Sequence, residues 1–264
     1  MANISPKQIV EKLKLTLNKN NIDYEKIVDE FKQVASTEER ARGEEFTLKD
    51  HIRSLVLALL SNRRPWGPIE EKLDNIETIF FQYDPDKLQK ADPAQILLKI
   101  KEIKLGNISI NKQIKELSYN IEQFKRIIKE FGSLDMFLSK NSEEAATMLS
   151  DSESPYKLKN IGPALVMEYL RNVGIAAMKP DTHLLRICGS NRLAIFPSLV
   201  SIEQAKLLFN KFAEQAELNP SYLDNLFWIF GAKDYANICS AKPKCNNCEL
   251  ASYCNYPKNN QNNL

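Results

Sequence analysis

Four of the chain's five cysteines, Cys239, Cys245, Cys248 and Cys254, stand in the order C-x5-C-x2-C-x5-C. Thiols this dense form disulfides, hold a metal or do redox chemistry. Disulfides fit badly, because 264 residues with 43% apolar composition can bury a substantial core without cross-links. The N-terminal stretch MANISPKQIVEKLKL has no apolar signal-like core, and no run approaches the roughly eighteen apolar residues of a membrane span. The expectation is a cytoplasmic protein under reducing conditions, where clustered thiols hold a metal or do redox chemistry and the fifth, Cys188, is a buried apolar residue. A zinc ribbon offers two C-x2-C pairs across a longer loop, whereas only the middle pair is close here. Zinc and a four-iron cluster both accept four thiolates, so spacing alone leaves both open.

A second stretch with chemical content is Leu158–Gly174, LKNIGPALVMEYLRNVG, followed by KPDTHLLRI from Lys179 to Ile187. The first reads as the end of one helix, a tight loop at Asn160-Ile161-Gly162 and a second helix stopping at Gly174. Such a hairpin presents backbone N–H groups at a helix start and can hold a phosphate, although an ordinary αα-hairpin has the same pattern. In the second, Asp181 precedes a helical run, which suits an N-cap and equally a fixed carboxylate for catalysis.

The elements that must position these residues are helical. Apolar residues recur three and four apart, as in Ile52, Leu55, Val56, Leu59 and Leu60. Amphipathic runs near 6–20, 23–35, 68–82, 94–103, 110–131, 201–217 and 221–232 are separated by Pro, Gly, Asn and Ser. Nothing alternates with period two, so the fold is expected to be all-α. Net charge is +2, from 36 Lys and Arg against 34 Asp and Glu, so bulk charge announces no nucleic-acid partner.

Hairpin, D-T-H and cysteine loop, in that order, resemble the helix-hairpin-helix DNA glycosylase superfamily in its iron–sulfur branch, typified by endonuclease III. The family hairpin L-P-G-[VI]-G appears as Leu158-Lys159-Asn160-Ile161-Gly162, and V-D-T-H as Pro180-Asp181-Thr182-His183. The family's C-x6-C-x2-C-x5-C is one residue shorter in its first gap here, and FWIFGAKDYANIC looks like the helix that leads into it. The resemblance runs from about residue 45 to 256 and favours iron–sulfur over zinc.

The resemblance implies an all-α, two-domain protein: a six-helix domain over 45–174, and a discontinuous domain of 1–44 and 175–264 that holds a [4Fe-4S] cluster on Cys239, Cys245, Cys248 and Cys254. It implies a cytoplasmic, nucleoid-associated monomer that binds double-stranded DNA in the cleft between domains and flips the target nucleotide out of the stack. Asp181 then stabilises the oxocarbenium-like charge that develops as the base leaves, and orients water. The hairpin residues Lys159, Asn160, Ile161 and Gly162 hold the backbone, while His183 is structural. Bifunctional members carry a lysine nucleophile where this chain has Ala164, so the expected activity is base removal without a lyase step. The alternatives are a displaced lysine, Lys157 or Lys159, or a non-catalytic iron–sulfur DNA-binding protein. Arg63 and Arg64, beside Trp66, stand where endonuclease III supplies a gap-filling glutamine, and Lys242 and Lys244 lie in the first cysteine gap. All four are candidates for DNA contact, against the plainer reading of solvated cations.

Overall fold

The computed structural model describes residues 4–140, 142–179 and 181–259. Helices account for the regular structure, and no strand occurs among the described residues, as the apolar spacing predicts. Two compact units divide the chain: Met1–Ala35 with Ala176–Leu264, and Ser36–Ile175. Residues 36–44, which the sequence reading groups with the discontinuous domain, fall in the continuous unit.

The chain begins with α1 (Pro6–Lys19), capped by a reciprocal Ser5–Gln8 box, and α2 (Tyr24–Glu30). The apolar run over 23–35 is two helices rather than one, because Lys32 takes a left-handed φ of 60° before α3 (Gln33–Ala41). There follow α4 (Leu48–Leu60), α5 (Gly67–Glu70), α6 (Leu73–Ile79), α7 (Pro85–Lys90) and α8 (Pro93–Glu102). The expected run over 68–82 is likewise broken, its end turned left-handed at Phe81, Gln82 and Tyr83 with φ of 54°, 50° and 56°. The expected run over 110–131 is interrupted at Glu116, giving α9 (Ile110–Lys115) and α10 (Leu117–Phe131). The continuous unit closes with α11 (Leu134–Lys140), α12 (Ser142–Ser150) and α13 (Pro163–Asn172).

In that unit α13 packs along α4, burying Leu55, Leu59, Val166 and Leu170 completely. Complete burial of one such side chain contributes about 2 kcal/mol, so this seam fixes where α13 begins. At its far end Gly174 has φ of 76°, and a Cβ there would stand 2.2 Å from the Ser36 carbonyl oxygen. Glycine is required on both counts.

The discontinuous unit adds α14 (Thr182–Cys188), α15 (Ile202–Ala216), α16 (Pro220–Gly231) and, after the cysteine loop, α17 (Asn255–Asn259). Its core joins Leu13 and Leu17 of α1 to Phe209, Leu226 and Phe227, with Ile187 and Cys188 of α14 also enclosed. Cys188 has no exposed surface, in keeping with a purely apolar role. Leu250 of the cysteine loop belongs to the same core.

Candidate functional site

The hairpin loop takes the expected backbone at its centre: Asn160 is left-handed with φ of 57°, Ile161 is buried and Gly162 caps α13, with Pro163 in the first turn. The segment before it differs from expectation. Helix α12 ends at Ser150, and Leu158 is reached by a turn-rich connection rather than a helix end. The Leu158 amide donates to the Leu149 carbonyl at 3.0 Å, and the Lys157 ammonium donates to the carbonyls of Ser150 at 2.6 Å and Ile161 at 2.5 Å. These bonds replace helical ones and staple the loop.

Helices α9 and α10 grip the loop from the other side. The Asn120 amide group accepts from the Lys159 N–H at 2.8 Å and donates to the Lys159 carbonyl at 3.2 Å. Asn160 Nδ2 donates to the Lys112 carbonyl at 3.2 Å. The Lys159 ammonium lies 3.9 Å above the Tyr119 ring and 3.6 Å from Glu116, so it is already neutralised in part. No side chain caps the N-terminus of α13. Gly162 has an ordinary φ of −96°, and a Cβ there would meet nothing within 4 Å. Neither strain nor crowding requires this glycine, and the space beside its backbone is open.

Arg63 and Arg64 are exposed just beyond the C-cap Ser61 of α4. Arg63 is left-handed with φ of 56°, and Arg64 Nε donates to the Gly106 carbonyl at 2.6 Å. Both line a depression of about 640 Å³ shared with Asn62, Lys101 and Ile108. Ile108 leaves 93% of its surface in solvent, and nothing in its local pattern had marked it. The depression extends to Asn111, next to the Lys112 that holds Asn160, so one short segment joins the two features.

In the discontinuous unit, Asp181 is the N-cap of α14. Its Oδ1 accepts from the amides of His183 at 2.8 Å and Leu184 at 2.9 Å. His183 turns its Nδ1 to Arg186 Nη2 at 3.0 Å and meets Trp228 edge-on, a structural position. Arg186 Nε donates to the Cys239 carbonyl at 3.1 Å, which ties the helix that starts at Asp181 to the start of the cysteine loop. Burial lowers the Arg186 pKa.

Burial raises all four loop thiols, Cys239 to about 11 and Cys248 to about 12. Arg192 acts in the opposite sense on Cys239, Cys245 and Cys254. The Arg192 Nη1 donates to Cys239 Sγ at 3.4 Å. Among the described residues no His, Cys, Asp and Glu side chains form a group of three or more that could hold a metal ion. Four thiols are the donor type that a four-thiolate centre uses, but burial holds each of them towards the neutral thiol, and ligation would require the loop to draw them together. Lys242 and Lys244 are exposed on this loop. Neither Arg186 nor Arg192 stands out in the local sequence, because their loop partners lie 53 and 47 residues away.

No family model matches the chain, and no curated protein matches it in sequence. Solved structures do match. The 8-oxoguanine DNA glycosylase of Methanocaldococcus jannaschii is similar over 83% of this chain and 92% of its own, at 18% identity and a TM-score of 0.55. That of Thermotoga maritima is similar over 86% and 97%, at 18% identity and 0.53. An endonuclease III trapped as a covalent intermediate with DNA is similar over 79% and 84%, at 14% identity and 0.52. The chain therefore has the fold of the helix-hairpin-helix glycosylases, the fold that its hairpin, D-T-H and cysteine motifs imply. No described helix is long and apolar enough to cross a membrane.

Proposed function

We propose that the protein is a monofunctional DNA glycosylase: it binds double-stranded DNA, flips a damaged or mismatched nucleotide and cleaves its N-glycosidic bond. The observation that carries this is Asp181, a carboxylate fixed by two backbone amides through one oxygen, in a chain with the glycosylase fold. Oδ1 is occupied by the cap, so Oδ2 is the oxygen that faces the reaction. It stabilises positive charge on the sugar as the base departs and orients the attacking water. The uncapped N-terminus of α13, with Gly162 open to solvent, receives a backbone phosphate. Ile108 enters the duplex as an apolar wedge, and Arg63 and Arg64 take the space and phosphates around the extruded nucleotide.

Base removal proceeds here without a lyase step. Ala164 has no nucleophile, and the Lys157 amine, although burial lowers its pKa, is held by the carbonyls of Ser150 and Ile161. We also propose that the four loop cysteines hold a [4Fe-4S] cluster, which organises the loop bearing Lys242 and Lys244. Purified protein is then brown, with four irons per chain, rather than colourless with zinc.

The test is excision from a panel of duplexes with 8-oxoguanine, the lesion of the solved glycosylases, beside uracil, mismatched and alkylated bases. Asp181→Asn should bind the preferred duplex as wild type does and excise roughly 10²- to 10³-fold more slowly. Wild type should leave the abasic strand intact until alkali is added, and borohydride should trap no covalent complex. Excision unchanged in Asp181→Asn sinks the assignment, and efficient trapping sinks the monofunctional part of it.

A further inference from the structure

Residues 176–179, which lead to Asp181, belong to no helix, so their backbone groups must find partners elsewhere. The first turns of α16 supply them. The Ala177 amide donates to Ser221 Oγ at 3.2 Å, and the Ser221 hydroxyl donates back to the Ala177 carbonyl at 3.4 Å. The Lys179 amide donates to Asp224 Oδ1 at 3.1 Å, and the Lys179 carbonyl accepts from the Asp181 amide at 2.7 Å. Met178, between the two anchors, is buried in the core of the discontinuous unit. Downstream, α14 closes on the far end of the same helix: a Cβ on Gly231 would stand 2.9 Å from Ile187 Cδ1 and 3.2 Å from His183 Nδ1. Asp181 is thus referenced to α16 from both sides, through the chain that precedes it and through the helix that it caps.

Asp224 leaves only 4% of its surface exposed, on a helix whose Leu223, Leu226 and Phe227 are fully buried. A carboxylate in such surroundings is strongly disfavoured unless it is bonded, and an apolar side chain would fill the place at lower cost. What the carboxylate supplies is a charge-assisted acceptor for a backbone amide, which fixes where the chain runs whatever side chains it carries. Ser221 and Asp224 stand three apart on one face of α16, so they hold Ala177 and Lys179 as a pair. The two cap bonds of Asp181 set its carboxylate against α14, whereas the Asp224 bond sets where the chain arrives. Both matter to chemistry, because misplacing a reacting group by about 1 Å can cost about 100-fold in rate.

We propose, on the reading of Asp181 as the catalytic carboxylate, that Asp224, assisted by Ser221, is its positioning residue: it holds the Lys179 amide and so sets where the chain delivers Asp181 to the start of α14. Buried as it is, Asp224 acts through Asp181 and not on the substrate.

The full chain is purified as wild type, Asp224→Ala, Asp224→Asn, Ser221→Ala, Asp181→Asn and the double variant of Asp224→Ala with Asp181→Asn. Duplex affinity, single-turnover excision and amide hydrogen exchange are measured. Asp224→Ala should bind the preferred duplex as wild type does and excise roughly 10- to 100-fold more slowly. Asp224→Asn keeps an acceptor oxygen without the charge and should recover most of that loss, while Ser221→Ala should slow excision several-fold. In the Asp181→Asn background Asp224→Ala should add nothing, because residues that act as a unit are not additive. The amides of His183 and Leu184, which Asp181 caps, should exchange faster in Asp224→Ala while those of Phe209 and Phe212 in α15 do not, a pattern that general loss of stability does not give. Wild-type excision by a folded Asp224→Ala, or a full further loss in the double variant, overturns the proposal while Asp181 keeps its role. If Asp224→Ala does not fold, Ser221→Ala decides, and wild-type excision and exchange in it overturn the proposal equally. A wild type that excises nothing, or an Asp181→Asn that excises normally, overturns the catalytic reading and the proposal with it.

Discussion

Asp135 collects three hydrogen bonds inside the continuous unit: from Arg40 Nη2 at 2.7 Å, from the Phe46 amide at 2.6 Å and from His51 Nε2 at 3.2 Å. His51, with no exposed surface, also meets the Tyr169 hydroxyl of the hairpin helix at 2.6 Å through Nδ1. Burial alone would raise the Asp135 pKa, but the bonds from His51, Arg40 and Phe46 outweigh it and hold it at about 2. Burial lowers the His51 pKa, against the pull of Asp135. Both shifts make acid destabilising: the unfolded chain binds a proton at His51 from about pH 6.5 downward and at Asp135 from about pH 4, before the folded chain does. The Asp135 contribution, about 2 kcal/mol, is present above about pH 4 and is lost between there and pH 2. Asp135→Asn should therefore cost about 3 kcal/mol at pH 7, by stranding Arg40, and the gap to wild type should narrow as pH falls from 4 to 2. Urea midpoints across that range would show it, and a constant gap would count against the network. Nothing local in the sequence announces it, because Asp135 lies 84 residues from His51 and 95 from Arg40. Asp181 was legible because a cap is local chemistry, written within three residues.

At the scale of elements, the hairpin shows the same division. The left-handed turn was legible in Asn160-Ile161-Gly162, since Asn and Gly tolerate that conformation and few other residues do. The early end of α12 was not, because the staple depends on Lys157 reaching two carbonyls across a bend that spacing cannot reveal. The splitting of the run over 23–35 was also missed, since its apolar period continues through the turn at Lys32. The turn yields a prediction. Asn160→Gly keeps the backbone and loses one exposed bond to Lys112, so it should melt within about 1 kcal/mol of wild type. Asn160→Val forces a β-branched residue into the left-handed region and should cost about 2 kcal/mol. If the loop is the phosphate grip, duplex affinity should fall several-fold in the valine variant and hold in the glycine variant. Equal affinity in both would remove the hairpin from the DNA-binding surface.

For the whole molecule, fold class was the most legible property, because 3.6-residue periodicity is repeated in almost every segment while any one boundary rests on a few residues. Charge works the other way. A net charge of +2 gives little long-range attraction for DNA, so the duplex binding proposed above would have to come from a few placed cations. Arg63, Arg64, Lys242 and Lys244 are exposed, while Lys159 is shared with Glu116 and Tyr119 and has less to gain from phosphate. Each cation that neutralises a duplex phosphate adds close to 0.9 to the slope of log affinity against log salt. Arg63→Ala and Lys244→Ala should each therefore flatten that slope by about one, and the double variant by about two, since the residues belong to different units. Lys159→Ala should change the slope by less, because the wild-type ammonium must first give up its carboxylate and ring. Titrations of a lesion-free duplex at several salt concentrations would measure this. If the slope is unchanged in the double variant, these cations are merely solvated and the DNA track lies elsewhere. If Lys159→Ala alone removes a full unit, its contacts with Glu116 and Tyr119 do not hold it back from the backbone.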